Sequence, residues 1–150
     1  MLKTKDFESF LGLNYGDDVN ASLVLLGPPQ EMENDEEYDF IVNYYNNADE
    51  DEVLAVYFCR ETLRIECLEL TDPVDDFLNS RKIPLKGTEF LGKTAKEIIA
   101  FAGKPTEDEE NFLHYGDEES NVSLRIHCDP DTKKCGEMAV VWFYDDIEED

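Results

Sequence analysis

The stretch Gly92-Lys-Thr-Ala-Lys-Glu-Ile-Ile-Ala-Phe-Ala-Gly103-Lys-Pro105 reads as Gly-x-Thr, a short helix, then Gly-x-Pro. Earlier in the chain Gly16-Asp-Asp-Val-Asn-Ala-Ser-Leu-Val-Leu-Leu-Gly27-Pro-Pro29 answers it. A constant offset of 76 residues carries Gly16 to Gly92, Gly27 to Gly103 and Pro29 to Pro105 without a gap. Self-similarity at a fixed spacing marks a repeated unit. Asp18 and Thr94 fall at the same position, and both side chains can accept hydrogen bonds from the first free amides of a helix. Thr94 and Glu97 also have capping-box spacing. Gly27 and Gly103 follow the last apolar residue, where a left-handed C-terminal turn favours glycine. Between the caps, Val19, Leu23 and Leu26 correspond to Ala95, Ile99 and Ala102 at i, i+4, i+7, a stripe expected to face a sheet.

Working outward, each helix precedes three runs of strand character. In the first half these are 39–45, 53–59 and 63–70; in the second, 111–115, 122–128 and 137–144. Phe7–Leu11 and Pro73–Leu78 read as short leading helices. The expected fold is α+β: two tandem ααβββ repeats, residues 1–71 and 72–150, in one compact unit with helices on one face of an antiparallel sheet. Alternation places Val122, Leu124, Ile126 and Cys128 toward the helices, with Ser123, Arg125 and His127 opposite. By the same register Val53, Ala55, Tyr57 and Cys59 face the helices, leaving Leu54, Val56 and Phe58 on an opposite, apolar face that is either covered by another element or exposed as an interaction patch.

The Gly-x-Thr, helix, Gly-x-Pro segment followed by a three-strand meander resembles the repeat of the β-lactamase inhibitor protein family, and that of the small lipoprotein of the outer-membrane barrel-assembly machinery. Gly92, Thr94, Gly103 and Pro105 carry the likeness, with Asp18 in the threonine's place in the first copy. Two tandem copies look more like the inhibitor. The resemblance implies helices on one face of a curved sheet whose concave face grips a protein.

The chain's 150 residues contain 37 Asp and Glu against 13 Lys and Arg, a net charge of -24. That balance disfavours direct contact with nucleic acid or an anionic membrane and favours a basic protein partner. Neither a long apolar run nor a signal-like N-terminus is present, so a cytoplasmic setting is expected. The acids gather in runs at 31–37, 49–52, 107–110, 117–119 and 145–150. Such a field steers a cationic partner and can imitate phosphate charge; as plain surface it also discourages edge-to-edge strand pairing.

The candidate partner-binding residues are Asp49, Glu50, Asp51, Glu52, Glu118 and Glu119 for charge, with Tyr44, Tyr45, Phe58 and Trp142 as aromatic anchors. Cys59 with Cys67 and Cys128 with Cys135 fall one pair to each half. A disulfide is geometrically open to the second pair, although free buried thiols are favoured without an export signal. The spacings are too long for paired zinc ligands, and no EF-hand sequence is present. His114 and His127 lack the partners of any familiar catalytic motif. No cofactor and no catalysis are expected. The function read from the sequence is an acidic inhibitor of immunity or antagonist type, blocking a basic enzyme such as a toxin or nuclease by charge mimicry. The alternative is a non-catalytic structural or envelope-assembly module.

Overall fold

A computed structural model describes residues 3–116 and 120–144. A 3-10 helix over Thr4–Glu8 leads into a two-stranded hairpin, β1 (Ser9–Phe10) and β2 (Leu13–Asn14), then α1 (Val19–Leu26). Four strands follow: β3 (Glu31–Asp35), β4 (Phe40–Asn46), β5 (Glu52–Cys59) and β6 (Ile65–Thr71). After α2 (Asp75–Ser80) and α3 (Ala95–Ala102) come β7 (Glu107–Glu109), β8 (Phe112–Gly116), β9 (Val122–Cys128) and β10 (Cys135–Trp142). The last eight strands form one antiparallel sheet in the order β3-β4-β5-β6-β10-β9-β8-β7.

The molecule is thus mostly β, and the expected pair of ααβββ units is corrected: four strands, not three, follow each of α1 and α3. The extra strands are β3 and β7, the two edges of the sheet, built from Glu31-Met-Glu-Asn-Asp35 and Glu107-Asp-Glu109. Acidic residues have low strand propensity, and these runs become strands because a neighbouring strand offers its free hydrogen-bonding edge. Charge there also keeps the edges from pairing with other chains. Thr71 ends β6, so β3–β6 precede the expected boundary and β7–β10 follow it, while β6 pairs directly with β10 across the middle of a continuous sheet.

The helix ends obey the caps read from sequence. Asp18 accepts from the amides of Asn20 and Ala21, and Thr94 with Glu97 forms a complete capping box. Gly27 and Gly103, at φ 81° and 97°, close the helices with amides donating to Leu23 and Ile99. The buried stripe differs by one position: Ser22 with Leu26, and Ile98 with Ala102, are buried, whereas Leu23 is 38% exposed. Each helix is tied to the sheet by a phenol. Tyr45 donates to the carbonyl of Gly27 at 2.8 Å, and Tyr115 to that of Gly103 at 2.7 Å.

Strand register corrects the faces. Leu54 stands opposite Leu70, and Val56 opposite Leu68; Leu70 and Leu68 in turn oppose Met138 and Val140, which oppose Ile126 and Leu124. Directly opposed residues share a face, so Leu54, Val56 and Phe58 lie with Leu124 and Ile126 in the core, each 0–1% exposed. Tyr57 and Cys59 take the other side. The apolar face, which the sequence left either covered or exposed, is covered and lies on the helix side. Tyr45, Phe58 and Trp142 are in that core, at 0%, 0% and 2% exposure, and cannot serve as exposed anchors. None of the described helices is long and apolar enough to cross a membrane.

Candidate functional site

The face away from the helices, here the outer face, is read row by row from the pairing. One row crosses all eight strands: Glu31, Tyr44, Ala55, Glu69, Ala139, Arg125, His114 and Glu107. The adjacent row runs Glu33, Val42, Tyr57, Cys67, Val141, Ser123 and Gly116. On the other side of the first, Thr71, Glu137, His127, Phe112 and Glu109 are opposed in turn. Small residues, Ala55, Ala139 and Ser123, are buried beneath these longer ones.

At the centre, Glu69 and Glu137 are diagonal neighbours on β6 and β10, a separation that long side chains bridge. The two carboxyls lie within electrostatic reach of each other, and the Tyr57 phenol donates to Glu69 Oε1 at 3.2 Å. Half-burial first, then the Glu137 charge, pushes the Glu69 carboxyl up to about 7; the bond from Tyr57 acts the other way. Burial and the Glu31 and Glu137 charges raise Glu52 as well. Tyr57 and Tyr44 are pushed far above the usual phenol range by burial and by the carboxylates beside them. Burial and Glu69 drive the Cys67 thiol up to about 12, so it is a neutral thiol here. Two carboxyls that cannot ionise together at low cost can hold a proton between them or accept a cation. Among the described residues no three His, Cys, Asp or Glu side chains are grouped to hold a metal ion.

Of the residues expected from sequence, Tyr44 is on the outer face, half-buried, with its hydroxyl donating to Glu33 Oε1 at 2.7 Å. Asp49, Glu50 and Asp51 form the turn between β4 and β5, where the Asn47 side chain accepts from the amides of Asp49 and Asp51 at 2.9 and 3.0 Å. Glu52 begins β5 and joins that turn to the central carboxyl pair. Glu118 and Glu119 lie outside the described residues. The centre itself, Tyr57, Glu69, Glu137 and Arg125, was not among the candidates. Its signal was an acid set among apolar strand residues, Leu68-Glu69-Leu70 and Glu137-Met138, which becomes a site only through the non-local β6–β10 pairing.

Cys59 and Cys67, one pair by sequence, are not opposed in the sheet. Cys59 stands opposite Phe40, and Cys67 between Tyr57 and Val141.

No family model matches the chain, and no curated protein resembles it in sequence. Among solved structures, the fold is similar to that of a cysteine-rich secretory protein from Staphylococcus aureus subsp. aureus Mu50, with a TM-score of 0.54 and 10% identity over 85% of this chain and 44% of that one. It is similar also to an extracellular protein containing a SCP domain from Bacillus anthracis str. Ames, with a TM-score of 0.57 and 11% identity over 94% of this chain and 48% of that one. The chain spans less than half the length of either neighbour. The likeness is one of fold. It replaces the resemblance to β-lactamase inhibitor proteins, and with it the immunity-protein reading. The expectation of a cytoplasmic setting falls too, since both neighbours are described as secretory or extracellular.

Proposed function

We propose that this protein binds a basic protein segment on the outer face of its sheet, and that its role is binding, not catalysis. The observation that carries the reading is the Glu69–Glu137 pair. Strand register forces two carboxyls together, and a lysine ammonium or arginine guanidinium from a partner relieves their repulsion and replaces the shared proton. Glu31, Glu33 and Glu52 continue the acidic track toward the β3 edge, and Tyr44, Tyr57 and Phe40 supply rings beside it. A net charge of -24 speeds encounter with a cationic protein. It also imitates a polyanion, so a partner that acts on nucleic acid would be occupied at its own substrate surface.

Titration calorimetry with a lysine- and arginine-rich peptide, against the same peptide with glutamine in place of the basic residues, tests this. Binding is expected only for the basic peptide, weakening at least tenfold between about 50 and about 500 mM salt. The Glu69→Gln/Glu137→Gln double variant is expected to lose about tenfold in affinity. Equal affinity in wild type and double variant, or affinity indifferent to salt, overturns the reading.

A further inference from the structure

Cys128 and Cys135 stand directly opposite each other where the β9–β10 hairpin begins to close. Their amides point away from one another. The Cys128 N–H donates to Asn111 O at 2.8 Å and the Cys135 N–H to Lys93 O at 2.7 Å, while one step nearer the turn Asp129 N–H donates to Lys134 O at 2.8 Å. Opposed residues whose hydrogen bonds turn outward form the narrow pair of an antiparallel ladder, with Cα atoms about 4.5 Å apart. That spacing lies inside the window of about 4.4–6.8 Å that a disulfide requires. Both side chains are buried in the core, and each thiol lies within electrostatic reach of the other: burial pushes Cys135 up to about 12, and Cys128 adds to the rise.

The first half of the chain shows what this position otherwise holds. Cys59 N–H donates to Arg64 O as Asp129 does to Lys134. Leu63 N–H donates to Cys59 O as Lys133 does to Asp129, with φ 63° and 64° at the two donors. Ile65 N–H donates to Asp17 O as Cys135 does to Lys93. In this shared frame Phe58 opposite Ile65 occupies the place of Cys128 opposite Cys135. A phenyl ring and a branched aliphatic chain secure the hairpin in one half, and two thiols fill the same site in the other.

We propose that Cys128 and Cys135 are a disulfide-forming pair, a modification site that staples the β9–β10 hairpin. The oxidant is a low-molecular-weight disulfide. The Cys128 thiol loses its proton and attacks one sulfur of that disulfide, forming a mixed disulfide and expelling one small thiolate. The Cys135 thiol loses its proton in turn and attacks the Cys128 sulfur, forming the internal S–S bond and expelling the second small thiolate. The two protons end on the two leaving thiolates, and two electrons pass to the oxidant. Burial keeps both thiols out of reach in the closed hairpin, so the exchange belongs to folding, while the hairpin is open.

The test refolds the reduced, full chain in a buffer of glutathione and glutathione disulfide and, in parallel, in excess reductant. Free thiols are then alkylated and the peptides mapped by mass spectrometry. In the glutathione buffer the chain is expected to lose two of its four alkylatable thiols and two hydrogen atoms of mass, with the peptides bearing Cys128 and Cys135 joined and Cys59 and Cys67 alkylated. The Cys59→Ser/Cys67→Ser variant is expected to form the same link, and the linked protein to melt roughly 5–10 °C above the reduced one. Four alkylatable thiols in the folded product of both buffers, a link engaging Cys59 or Cys67, or a linked form that melts below the reduced form each overturns the proposal.

Discussion

The indole N–H of Trp142 donates to the main-chain carbonyl of Phe7 at 2.8 Å, fastening the end of β10 to the helix that opens the chain. Around it Tyr15 meets the Trp142 ring edge-on at 6.2 Å and stacks on Tyr144 at 4.6 Å, whose hydroxyl donates to Ile65 O at 2.8 Å. The bond is buried, so deleting the donor leaves a carbonyl without water to replace it. Trp142→Phe removes that donor and part of the ring together, and is expected to cost about 2–4 kcal/mol. Urea unfolding followed by circular dichroism measures it. A loss below about 0.5 kcal/mol would mean that this junction does not hold the Thr4–Glu8 helix to β10.

The Glu69 carboxyl ties stability to pH. Its folded pKa of about 7 lies above the ordinary 4.5, so the folded state holds the proton more tightly than the unfolded state. The contribution is fully present below about pH 4.5 and is lost as pH rises through about 7. Because Glu69 is partly open to solvent, the loss is about 1–2 kcal/mol after screening. Glu52 and Glu66 are raised in the same direction. Glu69→Gln is expected to be more stable than the wild type at about pH 8 by that amount, with little difference at about pH 4. Urea midpoints at both pH values check the sign. Tyr57→Phe removes the bond that favours the ionised form, and the Glu69 titration followed by carbon NMR is expected to move higher still.

Both cap-to-cap helices were legible because capping chemistry is local: Asp18 and Gly27, Thr94 and Gly103 carry their own instructions within a few residues. The phase of β5 was not. Val53-Leu-Ala-Val-Tyr-Phe-Cys59 is apolar at every position, so alternation offers no choice of face and only pairing with β4 and β6 decides it. The edge strands β3 and β7 were hidden for the opposite reason, as their acidic residues are read as loop until a partner edge is available. The Glu69–Glu137 pair depends on contact between β6 and β10, on strands whose adjacency no local pattern encodes. The acidic surface was therefore visible as charge, while its centre was not.

Gly87 packs under the aromatic group of the N-terminal segment. A Cβ added there would sit 2.7 Å from Phe10 Cε1 and 3.1 Å from Phe7 Cε2, and the backbone φ of +97° is one that L side chains avoid. Phe7 and Phe10 are themselves buried, with ring centroids 5.6 Å apart. Gly87→Ala is expected to destabilise by about 2–4 kcal/mol through strain and overpacking together. Gly16, at φ +98° but with no atom within 4 Å of its added Cβ, separates the two effects. Gly16→Ala is expected to cost only the backbone share, about 1 kcal/mol, and thermal melts of the two variants should differ accordingly.

The helix caps offer the sharpest comparison between the two halves. Thr94 accepts from Glu97 N–H at 3.2 Å while Glu97 Oε1 accepts from Thr94 N–H at 2.9 Å, and that contact holds the Glu97 carboxyl below the usual carboxylate range. Asp18 reaches Asn20 N at 3.0 Å and Ala21 N at only 3.4 Å. Asp18 adds a negative charge at the helix start, which the dipole favours and salt screens, whereas Thr94 adds none. Thr94→Ala and Asp18→Ala are each expected to cost about 1 kcal/mol at low salt. At about 1 M salt the Asp18 cost should shrink by a few tenths of a kcal/mol and the direct Thr94 cost should not. Equal salt responses in the two variants would show that charge contributes nothing at the first cap, leaving hydrogen bonding to account for both.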